Sequence, residues 1–391
     1  MIILCIGLCN LAQIMAGIYI HIPFCRQACH YCDFHFSTNL TRMEEMVQAI
    51  GKEIVDRKEY LSEPIETIYF GGGTPSLLTF DQIKFILNAI ERSHSISSEA
   101  EITLEANPED LSSEKASQFF NAGINRLSIG IQTFDEAKLK WMNRIHDTNE
   151  SLAAIKNVRN AGFQNISLDL IYAIPDHSLN KWQSDLEQII ELNPEHVSLY
   201  GLTIEDKTVF GKWEHENKLI QVPEDEAAAQ YLLAIDLLKE NDYLQYEVSN
   251  FGKEGYYSKH NNAYWSGVPY LGVGPGAHSF DGEHTRRFNV SNNAKYLKAL
   301  QGDDIHFSEN EVLSNKQRLN EMILTQLRTK KGLNLKAFEK SSGQALVKRH
   351  HRFLEEIAHQ NLVEISNDFL RLKPRGFLVA DEIALRLFLP E

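Results

Sequence analysis

Short apolar runs recur along the first two-thirds of the chain, with helix-period stretches between them. Residues 17–23 (GIYIHIP), 65–70 (IETIYF), 101–106 (EITLEA), 126–131 (RLSIGI), 166–172 (ISLDLIY) and 196–202 (HVSLYGL) are rich in β-branched and aromatic residues, and each reads as a strand. Apolar residues at helical spacing predict helices over 41–60, 80–93, 112–121, 135–142, 148–161, 179–192 and 224–241. Thr41 is placed to cap the first of them. Six strands alternating with helices, roughly 30–40 residues apart, form a βα repeat. Continuous apolar runs mark parallel strands buried on both faces.

The pattern predicts an α/β fold, a partial (β/α)6 TIM-like barrel with right-handed crossovers. A doubly wound open sheet is the competing fold. Polar residues at strand C-terminal ends, namely Glu105, Asn107, Gln132, Asp169 and Tyr200, favour the barrel, because barrel chemistry is built on that rim. Past Tyr243 the pattern changes. Residues 246–251 are strand-like, and 258–279 mix Gly, aromatics, Asn and His without a clear period. Helices are expected over 311–328, 334–341 and 345–359, a hairpin over 362–365 and 369–372, and a last segment over 374–389. Three helices with a hairpin resemble a winged helix. The domain reading is therefore a barrel at 16–245, a connecting segment at 246–302 and a helical C-terminal domain at 303–391.

Residues 1–15 are apolar without a basic start, which argues against a signal peptide, and the run is short for a membrane span. Since 17–23 already reads as a complete first strand, 1–15 is taken as an upstream extension, with Met15 as the expected start of translation. Composition adds limits. The 391 residues allow two or three domains, and 43% hydrophobic with 24% charged residues is globular usage. A net charge of −14 and the lack of a long Lys/Arg block make nucleic acid an unexpected partner, although Lys330-Lys331 and 348–352 are locally basic.

Three of the five cysteines, Cys25, Cys29 and Cys32, follow the first strand at spacings of four and three. They are too close for a disulfide framework, and clustered reduced thiols point to the cytoplasm. A zinc site completed by His21, His30 or His35 is one reading, but zinc knuckles pair a CxxC with a distant second pair, which the chain lacks. CxxxCxxC after the first strand of a βα chain is instead the radical S-adenosylmethionine (SAM) spacing. Three thiolates hold three irons of a 4Fe–4S cluster and leave the fourth open to a ligand. The run Gly71-Gly72-Gly73-Thr74-Pro75 ends the second strand, where glycines let backbone approach a ligand closely. Glu105, Gln132, Arg144 and Asp169 lie at or just beyond strand ends; taken singly, such a residue more often caps a loop or makes a salt bridge than binds a ligand.

Together YIHIPFCRQACHYCDF, YFGGGTPSLL, LEANPE, LSIGIQTF, LDLIYAIP and LGVGPGAHSF are similar to the HemN/HemW branch of the radical SAM enzymes, over nearly the whole chain. The resemblance implies that Tyr19, Tyr31, Gly72, Gly73, Thr74, Glu105, Gln132, Arg144, Asp169, Gly201 and His278 contact SAM. One arm of the branch, the oxygen-independent coproporphyrinogen III dehydrogenases of porphyrin biosynthesis, has a fourth cysteine two residues after the third. Here that position is Phe34. The other arm, of haem chaperones, lacks it and carries HNxxYW, present here as His260-Asn261-Asn262-Ala263-Tyr264-Trp265. A neutral imidazole can ligate haem iron, and Tyr and Trp offer flat faces to a porphyrin. The haem expectation thus falls on His260, Tyr264 and Trp265, against the alternative that His260 is a hydrogen-bonded loop histidine. The resemblance further implies a haem-carrying role with acceptor haemoproteins, among them respiratory enzymes at the membrane. It also implies an electron donor and dimer formation, with no catalytic residue assigned.

Overall fold

The computed structural model describes residues 16–302 and 306–390; the reading of 1–15 lies outside them. Six parallel strands come first: β1 (Ala16–Ile22), β2 (Ile65–Gly72), β3 (Ile96–Ala106), β4 (Arg126–Gln132), β5 (Ile166–Tyr172) and β6 (His196–Gly201). They pair in sequence order, each parallel to the next. Period-2 alternation divides their side chains between two faces. Ile18, Ile20, Ile68, Phe70, Leu104, Leu127, Ile129, Leu168, Leu170 and Val197 are buried in the apolar core with the surrounding helices. The alternate set, including Tyr19, Thr67, Tyr69, Glu105, Ser128 and Asp169, is polar and faces the barrel lumen.

The barrel stays open because β1 and β6 each pair with something else. β7 (Leu244–Gln245) and β8 (Asn250–Gly252) form a small antiparallel pair, and β8 also lies antiparallel to β6. β9 (Tyr270–Val273) runs parallel to β1, and β10 (His278–Phe280), β11 (Thr285–Asn289) and β12 (Ser308–Val312) continue outward as antiparallel strands. The result is one 12-stranded sheet. A buried ion pair clamps this outer part to the barrel. Glu53 accepts from Arg57 Nη1 at 3.0 Å, the Gly274 N–H at 2.9 Å, Asn289 Nδ2 at 2.8 Å and the Tyr296 hydroxyl at 2.6 Å. With that many donors, a fully buried carboxylate is tolerated.

The C-terminal unit has helices Asn315–Leu327, Leu335–Ser342 and His351–His359 and a small antiparallel sheet, β13 (Leu333–Asn334), β14 (Val363–Ser366) and β15 (Phe369–Leu372), in the order β13-β15-β14. Among the described residues one large apolar cluster joins Ala16 to Leu387, and a separate small one gathers Leu139, Met142, Ile171, Ile174, Phe210 and Leu219. The α/β class, the parallel strands and the helical, winged-helix-like end agree with the sequence reading.

Several local expectations are corrected. The first helix begins at Met43, and the cap is Asn39, whose Oδ1 takes the Thr41 N–H at 3.1 Å on the 3-10 turn that leads in. Residues 246–251 are not one strand: the chain turns between β7 and β8, with the Tyr246 N–H on the Asn250 carbonyl at 3.1 Å. Val248 and Ser249 form the bend, and Glu247 is buried beneath it. Residues 311–328 are not one helix: β12 occupies Ser308–Val312, and a Ser314/Gln317 capping box starts the helix at Asn315. Three helices carried no sequence signal strong enough to be read: Val209–His215, Lys259–Ser266 and Asn293–Gln301. The second, capped by Ser258 and closed by Gly267 in the left-handed region, holds the HNxxYW stretch.

Candidate functional site

The cysteine loop leaves β1 at its C-terminal end and is pinned from several directions. The Cys25 N–H donates to the Ser37 carbonyl at 3.1 Å and the His30 N–H to the Met142 carbonyl at 3.1 Å. Asn143 Nδ2 donates to the Ala28 carbonyl at 2.8 Å, and Gln27 Nε2 to the Asn143 carbonyl at 2.8 Å. Arg26 reaches buried Asp110, which also accepts from the Ser76 hydroxyl at 2.7 Å. Beneath, the His30 ring lies edge-on to Trp213 at 5.0 Å and Phe210 at 5.8 Å.

A cavity of about 410 Å³ opens above the loop, at the C-terminal ends of β1–β6. Cys25, Cys29 and Cys32 line it, half-buried and, among the described residues, in no disulfide. Burial pushes the Cys25 thiol up to about 11 and the Cys32 thiol up to about 12, so these thiols keep their protons until a cation replaces them. Arg144 Nη1 donates to Cys29 Sγ at 3.5 Å, while its Nη2 is held by Asn107 Oδ1 at 2.7 Å and the Gly130 carbonyl at 3.0 Å. Three thiols on one loop with a fixed guanidinium beside them fit an anionic iron–sulfur cluster better than a closed zinc site. The histidines that would complete a zinc set are engaged elsewhere. His21 Nε2 lies 2.9 Å from the His35 carbonyl, His30 Nδ1 2.9 Å from the Trp141 carbonyl and His35 Nε2 2.7 Å from Asn293 Oδ1.

The same cavity collects Tyr31, Gly72, Gly73, Thr74, Glu105, Gln132, Arg144, Asp169 and Gly201. Glu105 accepts from the Tyr69 hydroxyl at 2.8 Å and the Gly72 N–H at 3.2 Å, and burial raises its carboxyl to about 7 despite both donors. Asp169 accepts from Ser128 Oγ at 3.0–3.1 Å and is likewise shifted upward by burial. Gln132 has a left-handed backbone, φ 71°, at the register shift where β4 leaves β5. The glycine run has a structural duty beside any ligand contact. A Cβ on Gly73 would lie 2.6–2.8 Å from backbone atoms of Ile22 and Phe24, and the Gly73 N–H donates to the Ile22 carbonyl at 2.9 Å. The run packs chain against chain and so fixes where the cysteine loop begins.

Tyr19 and His278 are not in this cavity. They line a neighbouring one of about 400 Å³ with His21, His35 and Tyr270, and Phe34 and Asp33 border both. Phe34 is 67% exposed. The HNxxYW residues also separate. His260 is 3% exposed and its ring lies in the lumen, stacked on Tyr69 at 4.8 Å. Its Nδ1 is 2.8 Å from Thr67 Oγ1, and its backbone N–H donates to Glu101 Oε1 at 3.2 Å. Burial pushes the imidazole down to about 3, so it is neutral. Trp265 instead lines a third cavity, between the Lys259–Ser266 helix and the C-terminal unit, and Tyr264 lines both that cavity and the second. Sequence reading missed Ser128 and Tyr69, which face the lumen as partners of the carboxylates; period-2 alternation from Asp169 and Glu105 was the available signal.

Comparison with known proteins completes this picture. The radical SAM superfamily model matches residues 19–189, and the HemN C-terminal domain model residues 313–379. The solved structure of Escherichia coli coproporphyrinogen III oxidase (HemN), a radical SAM enzyme, superposes with a TM-score of 0.81 at 20% identity, covering 97% of this chain and 91% of that one; this likeness concerns the fold. An open parallel βα barrel with a three-cysteine loop at its C-terminal rim defines a radical SAM protein, which implies a 4Fe–4S cluster and SAM. Heme chaperone HemW of Bacillus subtilis is 33% identical over 372 residues, 94% of this chain and 98% of its own length. HemW of Escherichia coli is 39% identical over 266 residues, 67% of this chain and 69% of its own. A mitochondrial radical SAM domain-containing protein 1 of Danio rerio is 31% identical over 94% of this chain and 86% of its own length. The chain belongs to the HemW family.

Proposed function

We propose that this protein is a haem chaperone that holds a 4Fe–4S cluster and SAM, binds haem and delivers it to acceptor haemoproteins. The observation that carries this reading is Phe34. Likeness to HemW relatives runs along almost the whole chain, and the position where coproporphyrinogen dehydrogenases place a fourth thiol holds an exposed phenyl ring. Cys25, Cys29 and Cys32 would hold the cluster. Bound there, cluster and SAM supply one-electron redox chemistry. The chain's own residues prepare the place: Arg144 offsets negative charge beside Cys29, Glu105 and Asp169 present carboxylates to a cationic ligand, and Tyr31 closes one wall.

Electron supply from a donor protein, dimer formation and respiratory enzymes as acceptors complete the proposal, with a cytoplasmic, peripherally membrane-associated location. Among the described residues no helix is long and apolar enough to cross a membrane. The test is anaerobic. Cluster-reconstituted protein is titrated with ferric haem, and a stoichiometric Soret band is expected; its absence overturns the haem reading. In parallel the same protein receives SAM, a reductant and coproporphyrinogen III. Formation of protoporphyrinogen IX would replace the proposal by the dehydrogenase reading.

A further inference from the structure

We propose that haem lies in the cavity between the Lys259–Ser266 helix, the β10–β11 turn and the Asn315–Leu327 helix, with His284, rather than His260, as its axial ligand. The inference rests on the haem-binding reading above and adds the location and the ligating residue.

The first argument is access. His260 is sealed in the lumen under Tyr69, with Thr67 on Nδ1 and Tyr264 edge-on at 4.9 Å. Its Nε2 is buried without a partner among the described residues, and an iron porphyrin could reach it only by emptying the lumen. His260 is better explained as a plug. It fills the space beside Gly17, where a Cβ would meet Thr67 Oγ1 at 2.6 Å and His260 Nδ1 at 3.4 Å.

The second argument is the chemistry of the cavity. Its volume is about 490 Å³, within the range of roughly 300–1,000 Å³ usual for cofactor pockets. Tyr264, Trp265, Tyr270 and Phe280 supply ring surface, as a flat macrocycle requires. His284 lines it from the β10–β11 turn. Its Nδ1 lies 3.1 Å from the Leu313 carbonyl. A carbonyl only accepts, so Nδ1 carries the proton and Nε2 keeps its lone pair, which is the tautomer of an iron-ligating imidazole. The turn is held still: Asp281 Oδ1 takes the backbone N–H groups of Glu283, His284 and Thr285 at 2.7, 2.8 and 3.0 Å.

The third argument is charge. Haem carries two carboxylates, and two guanidiniums line this cavity. Arg286 already holds a carboxylate, that of Glu321, at 2.9 Å. Arg318 Nη2 donates to the Gly282 carbonyl at 3.3 Å, and the guanidinium lies over the Phe280 ring. The Trp265 indole N–H is buried with no acceptor among the described residues, a donor that a ligand oxygen would satisfy.

The experiment uses the full-length, cluster-reconstituted protein and ferric haem, read by the Soret band, magnetic circular dichroism and electron paramagnetic resonance. Wild type is expected to show histidine ligation. His284→Ala should lose that signature and weaken binding about tenfold or more, and added imidazole should restore the spectrum. His260→Ala, checked for folding by circular dichroism, should keep it. Arg318→Gln should weaken haem binding but leave haem dimethyl ester, which lacks the carboxylates, unaffected. An unaltered spectrum and affinity in His284→Ala, with the ligation signature lost in folded His260→Ala, overturns the inference while haem binding itself stands. No haem binding by wild type removes the haem reading, and the inference with it.

Discussion

The cysteine loop and the HNxxYW helix are both short motifs, and the fold treats them in opposite ways. The loop's neighbours converge: residues from five strand ends, separated by more than a hundred positions in the chain, face one cavity with Cys25, Cys29 and Cys32. The helix's residues diverge. His260 and Tyr264, four apart, touch each other, but the imidazole is turned into the lumen while Trp265, about 140° round the helix from it, looks toward the C-terminal unit. The contrast has a physical source. Parallel strands in register deliver their C-terminal ends to one rim whatever the sequence distance. A helix distributes consecutive residues around its axis, so adjacency in sequence says little about a shared site.

The sharpest break in this comparison is Cys29→Ser. It should remove most of the iron and the broad visible absorption of the reconstituted protein, while the haem titration stays as in wild type. Iron analysis and difference spectra check it, and joint loss of both would mean that the two regions are one site. Gly73→Ala comes next. Its Cβ meets rigid backbone of the cysteine loop, and a loss of about 3 kcal/mol is expected, with lower cluster loading, measured by denaturant melts and iron content. The same substitution at Gly267, which ends the HNxxYW helix at φ 67° in open space, should cost about 1 kcal/mol through backbone strain alone.

Glu247 offers a test as large as that at Gly73, confined to a pH window, at the turn between β7 and β8 that hydrogen-bonds to residues 328 and 330 of the C-terminal unit. Burial raises its carboxyl to about 7, so between pH 4.5 and 7 the folded protein holds a proton that the unfolded chain gives up. Stability from this group is therefore full below about pH 4.5, falls as pH rises and is spent above about pH 7. Glu247→Gln should flatten that slope by about 3 kcal/mol across the window, seen as a difference between the two proteins' melts at pH 5 and pH 7.5. Equal slopes would show that Glu247 is not the titrating group. The smallest expected effect is Phe34→Ala. At 67% exposure it should change stability by less than about 0.5 kcal/mol, while a shift in SAM or haem affinity would show which of the two bordering cavities uses the ring.

Much of the fold was legible because periodicity is a local property. The six apolar runs, the helices between them and the glycine-rich end of β2 announce themselves within windows of a few residues. Reading failed where local preference was weak or shared. The 246–251 run has strand composition but turns at Ser249. The helical period of 311–328 hid Ser314, whose capping box marks the true start. The HNxxYW helix is short and mixes polar and aromatic residues, so no period stands out.

By itself the sequence determined the radical SAM spacing of Cys25, Cys29 and Cys32, the βα repeat that sets them on a barrel rim, and the absence of a thiol at Phe34. Covalent order is enough for these, since they depend on which residues lie a few positions apart. Only the tertiary structure decided that Glu105, Gln132, Arg144 and Asp169 share a cavity with the cysteines, that His260 fills the lumen, and that His284, Arg286 and Arg318 meet Trp265 across a cleft. Those relations depend on strand register and on the packing of the C-terminal unit against the open sheet. Neither leaves a mark in any short stretch of the chain.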